Sequence, residues 1–164
     1  HEARLLALGP DLFGLPEDLG LQNGPLLSPQ MFAQFIAPSY REYIAPIKKR
    51  GAIVHMHSDG HILALADQFI KLGIEVLNIQ DLVNGVEDIR DAFDGRIAID
   101  LDIDRQNITV RGTPSEAGDL VRHEVSVLNR PDGGLSLSYN WGPPTPLENA
   151  EAVMTAMEEA GGYR

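Results

Sequence analysis

The sequence contains no cysteine. Disulfides, thiolate nucleophiles and cysteine-based zinc sites are therefore excluded. It has no apolar run approaching the ~20 residues that a membrane-crossing helix needs, and no secretory leader pattern. Basic residues are scarce, 13 against 24 acids, for a formal net charge of -11. No lysine- and arginine-rich stripe exists to displace counterions from a phosphate backbone, so nucleic acid is not an expected partner. The glycine-rich dinucleotide fingerprint and the phosphate-binding P-loop are also missing. A cytoplasmic location is the expectation that fits these absences, with neither membrane nor nucleic acid as a partner.

What is present is a length of 164 residues with 43% hydrophobic content, enough for one domain with a packed core. The chain starts at His1 rather than Met, inside a helix-like pattern over 2–9, and a preceding segment is expected. Strand-like and helix-like stretches then alternate. Strands are predicted over 11–15, 52–57, 75–79, 96–101 and 135–139. Between them lie helical patterns over 28–50, 62–72, 86–93 and 113–128, with a last helix opening near 145. Ser28-Pro29 is a helix start, and Pro38 and Pro46 should bend or split the helix that follows. Thr113-Pro114-Ser115-Glu116 and Thr145-Pro146-Leu147-Glu148 both read as capping boxes. Short apolar strands separated by helices indicate parallel β/α units, either in an eight-stranded barrel or in an open doubly wound sheet. In both, a site sits at the C-terminal ends of the strands.

The segment most informative about chemistry is Val54-His55-Met56-His57-Ser58-Asp59-Gly60-His61. Side chains alternate along a strand, so His55, His57 and Asp59 share a face. Two imidazoles and a carboxylate can hold a metal ion or move protons. The bland alternative is a polar strand end with a Ser-Asp-Gly turn, and His55, deeper in the strand, also reads as a hydrogen-bonded interior histidine. His61 is placed at a helix start, and His123 on a helix surface. Other polar residues recur where strands end. Glu17 and Asp18 form a carboxylate pair able to serve as acid and base. Gln22 and Asn23 offer amides, Asn78 and Gln80 face the same mouth, Tyr139 and Trp141 could form an aromatic wall for a flat substrate, and Asn140 stands between them. Asp100, Asp102 and Asp104 repel one another unless a cation is near. Arg105 and Arg111 either bind an anion or neutralise these acids.

Several segments together resemble the C-terminal half of the uroporphyrinogen decarboxylase superfamily, in its methyltransferase-like branch. They are Glu17-Asp18-Leu19-Gly20 with Gln22 and Gly24-Pro25-Leu26, then Ser28-Pro29-Gln30-Met31-Phe32, His57-Ser58-Asp59-Gly60 and Val76-Leu77-Asn78-Ile79-Gln80. Asp102-Ile103-Asp104-Arg105-Gln106, Gly112-Thr113-Pro114 and Thr145-Pro146-Leu147-Glu148-Asn149 follow in family order. The resemblance implies the last five or so β/α units of a (β/α)8 barrel, closed by a homodimer or by a missing half. It implies catalytic places for Asp18, His57 and Asp59, and substrate-binding places for Glu17, Gln22, Asn78, Gln80, Asp104, Tyr139 and Asn140 around a small molecule. His57 stands at the histidine of the family's zinc methyltransferases, whereas Asp59 replaces a cysteine. The zinc or manganese site to expect is then a harder one, of His57, Asp59 and His55. Cobalamin would come only through a partner corrinoid protein. Alternatives are a cofactor-free decarboxylase of a porphyrinogen-like polycarboxylate, and a non-catalytic, truncated half-barrel.

Overall fold

The computed structural model describes residue 4, residues 7–93 and residues 95–162. The helix-like opening expected over 2–9 lies for the most part outside them. Strand β1 (Leu12–Glu17) is followed by a small antiparallel hairpin of β2 (Gly20–Leu21) and β3 (Gly24–Pro25). Next come α1 (Pro29–Met31), a π-helical segment Phe32–Ile36 and α2 (Ala37–Lys49). Strand β4 (Ile53–Ser58) leads through a 3-10 turn, Leu63–Leu65, to α3 (Ala66–Leu72). Strand β5 (Val76–Gln80) is followed by α4 (Asp81–Asn84) and α5 (Val86–Phe93), and β6 (Ala98–Asp102) by α6 (Ile108–Arg111) and α7 (Pro114–Leu128). Strand β7 (Leu135–Ser138) and α8 (Leu147–Gly161) complete the described chain.

Strands β1, β4, β5, β6 and β7 form one parallel sheet in that spatial order. The order follows the chain without reversal. A doubly wound sheet needs a reversal point, so of the two architectures this is the barrel type. Right-handed crossovers along such a sheet put the helices on one face. Phe13, Leu15, Val54, Met56, Leu77, Ile79, Ile99 and Leu101 are buried on that side. The opposite face would be a barrel's interior, and here it is open: Leu12 and Ile53 are 48% and 42% exposed. The molecule is part of a barrel, and among the described residues β1 and β7 are the bare edges.

Local chemistry explains most boundaries. Ser28 Oγ accepts from Met31 N at 3.2 Å, with Pro29 in the first turn. Pro38 also falls in a first turn, that of α2, where the missing N–H has no intrahelical bond to lose. Pro46 sits inside α2 near its end, so the stretch is segmented but not broken. Thr113 and Glu116 form both bonds of the expected capping box. The second box does not form. Pro146 is the N-cap of α8, which leaves Thr145 outside the helix. The start of that helix is held instead by Asn149, whose amide donates to the carbonyls of Thr109 and Gly112.

Candidate functional site

Along β4, Val54, Met56 and Ser58 are buried against the helices, which turns His55 and His57 to the open face. The strand ends in a tight turn. Gly60 has φ of 81°, and a Cβ there would lie 2.3 Å from the carbonyl carbon of Gly20. Only glycine allows both the left-handed backbone and the close approach. The β2–β3 hairpin therefore lies directly on this turn. Leu19 N donates to Ser58 Oγ (2.9 Å), Gly20 N to Asp59 O (3.1 Å) and His61 N to Leu21 O (2.7 Å). From the other side, Gln80 Oε1 accepts from Gly60 N and Asn84 Nδ2 donates to Gly60 O.

This clamp brings Asp18 to His57 and Asp59. One ligand atom from each of the three lies within 4.8 Å of the other two. His57 Nε2 is 3.7 Å from Asp59 Oδ1. Arg105 Nη2 reaches the same oxygen at 2.8 Å and Asp102 Oδ2 at 3.1 Å. Asp102 is buried, and burial pushes its carboxyl up while the Arg105 guanidinium works against that shift. Of the two readings for Arg105, the geometry favours neutralisation of acids. Two carboxylate oxygens and an imidazole nitrogen, with one side open, can hold a divalent cation. They can equally accept protons from a bound molecule.

A polar layer runs beneath the cluster along neighbouring register positions His57, Asn78, Asp100 and Ser136. His57 Nδ1 is 2.6 Å from Asn78 Oδ1. Asn78 Nδ2 donates to Asp100 O, Asp100 Oδ2 and Ser138 Oγ, each at 3.0 Å. Ser136 Oγ donates to Asp100 Oδ1 at 2.9 Å.

Several expected site residues stand elsewhere. His55 shares the face of His57, but two residues along a strand is about 6.6 Å. Its Nε2 faces Asp100 Oδ2 at 3.2 Å, and Asp18 is the third member of the set instead. Glu17 accepts from the Tyr40 hydroxyl, whose pKa is raised by burial and then by Glu17. Gln80 is taken up by the Gly60 turn. Asp104 is buried, not exposed at the mouth: its carboxylate accepts from the N–H groups of Gln106, Asn107 and Thr109. Gln22 and Asn140 are exposed. Tyr139 is half-buried, and its hydroxyl has no partner among the described residues. His61 pairs with Leu21 in an isolated bridge rather than starting a helix, and His123 faces Glu87 on the surface.

Sequence reasoning missed Ser136, Ser138 and Asn84. The two serines had a signal, since they alternate along β7 and must share a face. Asn84 had none, because its partners Gly60 and Ile62 are remote in the chain.

A family model described as Uroporphyrinogen decarboxylase (URO-D) matches residues 5–160. No curated protein matches the chain. Among solved structures, a methyltransferase from Methanosarcina mazei superposes with a TM-score of 0.68 at 18% identity, over 96% of this chain. That likeness is one of fold. The chain spans 44% of the methyltransferase's length.

Proposed function

The chain belongs to the uroporphyrinogen decarboxylase family, and from that premise we propose that it serves methyl transfer to a small molecule, at the C-terminal ends of its strands. Asp18, His57 and Asp59 would hold a divalent ion there. The observation that carries this reading is the convergence of those three side chains from the β1–β2 link and from the end of β4 with its turn. Two oxygen donors and one nitrogen make the set harder than a thiolate site, so manganese suits it as well as zinc. When bound, such an ion is a Lewis acid that activates the methyl acceptor. The chain's own residues do the rest. His57 supplies a nitrogen lone pair. Asp18, on the link between β1 and the hairpin, orients the acceptor from above. Arg105 fixes the Asp59 carboxylate and offsets the charge of Asp59 and Asp102. The methyl donor would be cobalamin held by a separate corrinoid protein. Decarboxylation of a polycarboxylate is less favoured, because it wants free cations at the mouth and Arg105 is already paired with two acids.

The test is metal content. His57→Ala should lose bound zinc or manganese, with unchanged far-ultraviolet circular dichroism. Unchanged metal content would sink the assignment.

The open face supports a second statement, that the site works inside a closed barrel completed by another half. Among the described residues strands β1 and β7 are unpaired on one side, and a groove of about 510 Å³ beside β1 is lined by Gly14, Pro16, Phe35 and Tyr43. A second copy of the chain is the proposed complement. Sedimentation at micromolar concentration should then show no folded monomer, and a stable, compact monomer would refute the dimer.

A further inference from the structure

We propose that Asn78 is a positioning residue that holds the neutral His57 imidazole as its Nδ1–H tautomer, leaving Nε2 as the bare nitrogen beside Asp59. The inference deepens the reading of His57 as a ligand and rests on it for its use, though not for its geometry.

The argument starts from the amide. Asn78 Nδ2 lies 3.0 Å from three oxygens, and one of them, the Asp100 backbone carbonyl, can only accept. Exchanging the amide's oxygen and nitrogen would set one carbonyl oxygen against another, in a place where Asn78 is only 8% exposed. Unmade bonds of that kind are costly. The orientation is therefore determined, and Asn78 Oδ1 faces His57 Nδ1 at 2.6 Å. An amide oxygen has no proton to give. His57 Nδ1 must donate, and in the neutral ring Nε2 then carries the lone pair.

The anchor of this chain of bonds is Asp100, whose Oδ1 accepts from Ser136 and whose Oδ2 meets both Asn78 and His55. That gives His55 a purpose two residues below His57: it braces the carboxylate that orients the amide. An amide, unlike a carboxylate, accepts from Nδ1 without adding negative charge to a site that already holds Asp18 and Asp59. It selects a tautomer and leaves the charge balance alone.

The experiment is long-range ¹H–¹⁵N correlation on histidine-labelled, metal-free protein at a pH where imidazole is neutral, with His57→Gln to assign the signal. A protonated Nδ1 and a pyridine-like Nε2 are expected, and a protonated Nε2 overturns the proposal. Asn78→Leu should then move His57 towards the Nε2–H form that histidine prefers in water. It should also weaken zinc binding by about 10- to 100-fold in calorimetry with zinc alone; an unmoved tautomer overturns the role of Asn78. The wild-type spectrum decides without the variant, should that variant fail to fold. An Nδ1–H ring in a chain that binds no zinc would refute the metal reading and leave Asn78 in its role. Zinc binding by a chain with Nε2–H would do the reverse.

Discussion

Glu124 on α7 and Asp81 at the start of α4 meet with their carboxyl groups inside the protein, 0% and 2% exposed. Among the described residues no donor serves either Glu124 oxygen, and burial beside a second acid favours a proton held on Glu124 and shared towards Asp81. Burial first, then the charge of Asp81, pushes Glu124 up to about 10, and burial pushes Asp81 up to about 6. Asp104, the third acid facing the pair, adds to both shifts. Asp81 also accepts from Leu82 N and Asp104 N, so the proton ties α7 to the loop that carries Arg105.

The sign of the pH dependence follows. Both folded pKa values lie above the unfolded ones, so the folded state favours the protonated form. Stability from the pair is fully present below about pH 4 and is lost as pH rises towards about 10. Glu124→Gln keeps a donor and removes the charge. Thermal unfolding at about pH 5 and about pH 9 should show the wild type losing stability on the alkaline side and the variant losing less. The expected gain at the higher pH is roughly 2–4 °C per kcal/mol recovered. Equal slopes in the two proteins would refute the shared proton.

Gly60 offers a second test, on the clamp. A Cβ at this position meets the Gly20 backbone at 2.3 Å, and the φ of 81° is strained for any other residue. Gly60→Ala should cost about 2 kcal/mol or more in urea unfolding. It should also pull the hairpin, and Asp18 with it, off the β4 turn. Metal affinity should fall even in the variant that still folds, because the loss is one of placement.

Which of these relationships the sequence discloses depends on their range. The Thr113–Glu116 box and the Ser28 cap close within one helical turn, so spacing is enough to read them. Alternation along β4 puts His55 and His57 on one face, but it cannot say that the His55 ring meets Asp100, which stands two strands away on β6. The second capping box fails by a single-residue offset at Pro146. Asp104 looks like a solvated acid in sequence because the backbone N–H groups that claim it appear only once its loop curls. The Glu124–Asp81 contact is remote in the chain, and an ordinary helix glutamate gives no hint of burial.

Asp104 yields a prediction that separates loop from mouth. Its carboxylate accepts three backbone N–H groups and its own carbonyl takes the Thr109 hydroxyl. Asp104→Ala leaves those donors unsatisfied, at about 1–3 kcal/mol for each buried one. Unfolding free energy should drop by several kcal/mol, while any variant that remains folded should keep zinc affinity within a few-fold. Loss of zinc binding with unchanged stability would return Asp104 to the substrate side.

Arg105 discriminates between the two uses of Asp59. The guanidinium sits 2.8 Å from Asp59 Oδ1, the oxygen nearest His57 Nε2. If Asp59 is a metal ligand, Arg105 competes with the ion both for that oxygen and by charge. Arg105→Met should then raise affinity for manganese, by an amount limited to roughly 1 kcal/mol, or about fivefold, because Arg105 is itself 30% exposed and screened. The gain should shrink as salt is added. The same variant leaves buried Asp102 without its cation, so stability at neutral pH should fall. If Asp59 serves only as the partner of Arg105, the stability loss appears alone and manganese affinity does not move. Calorimetric titration with manganese at low and high salt, set beside urea unfolding of the same variant, reads both effects.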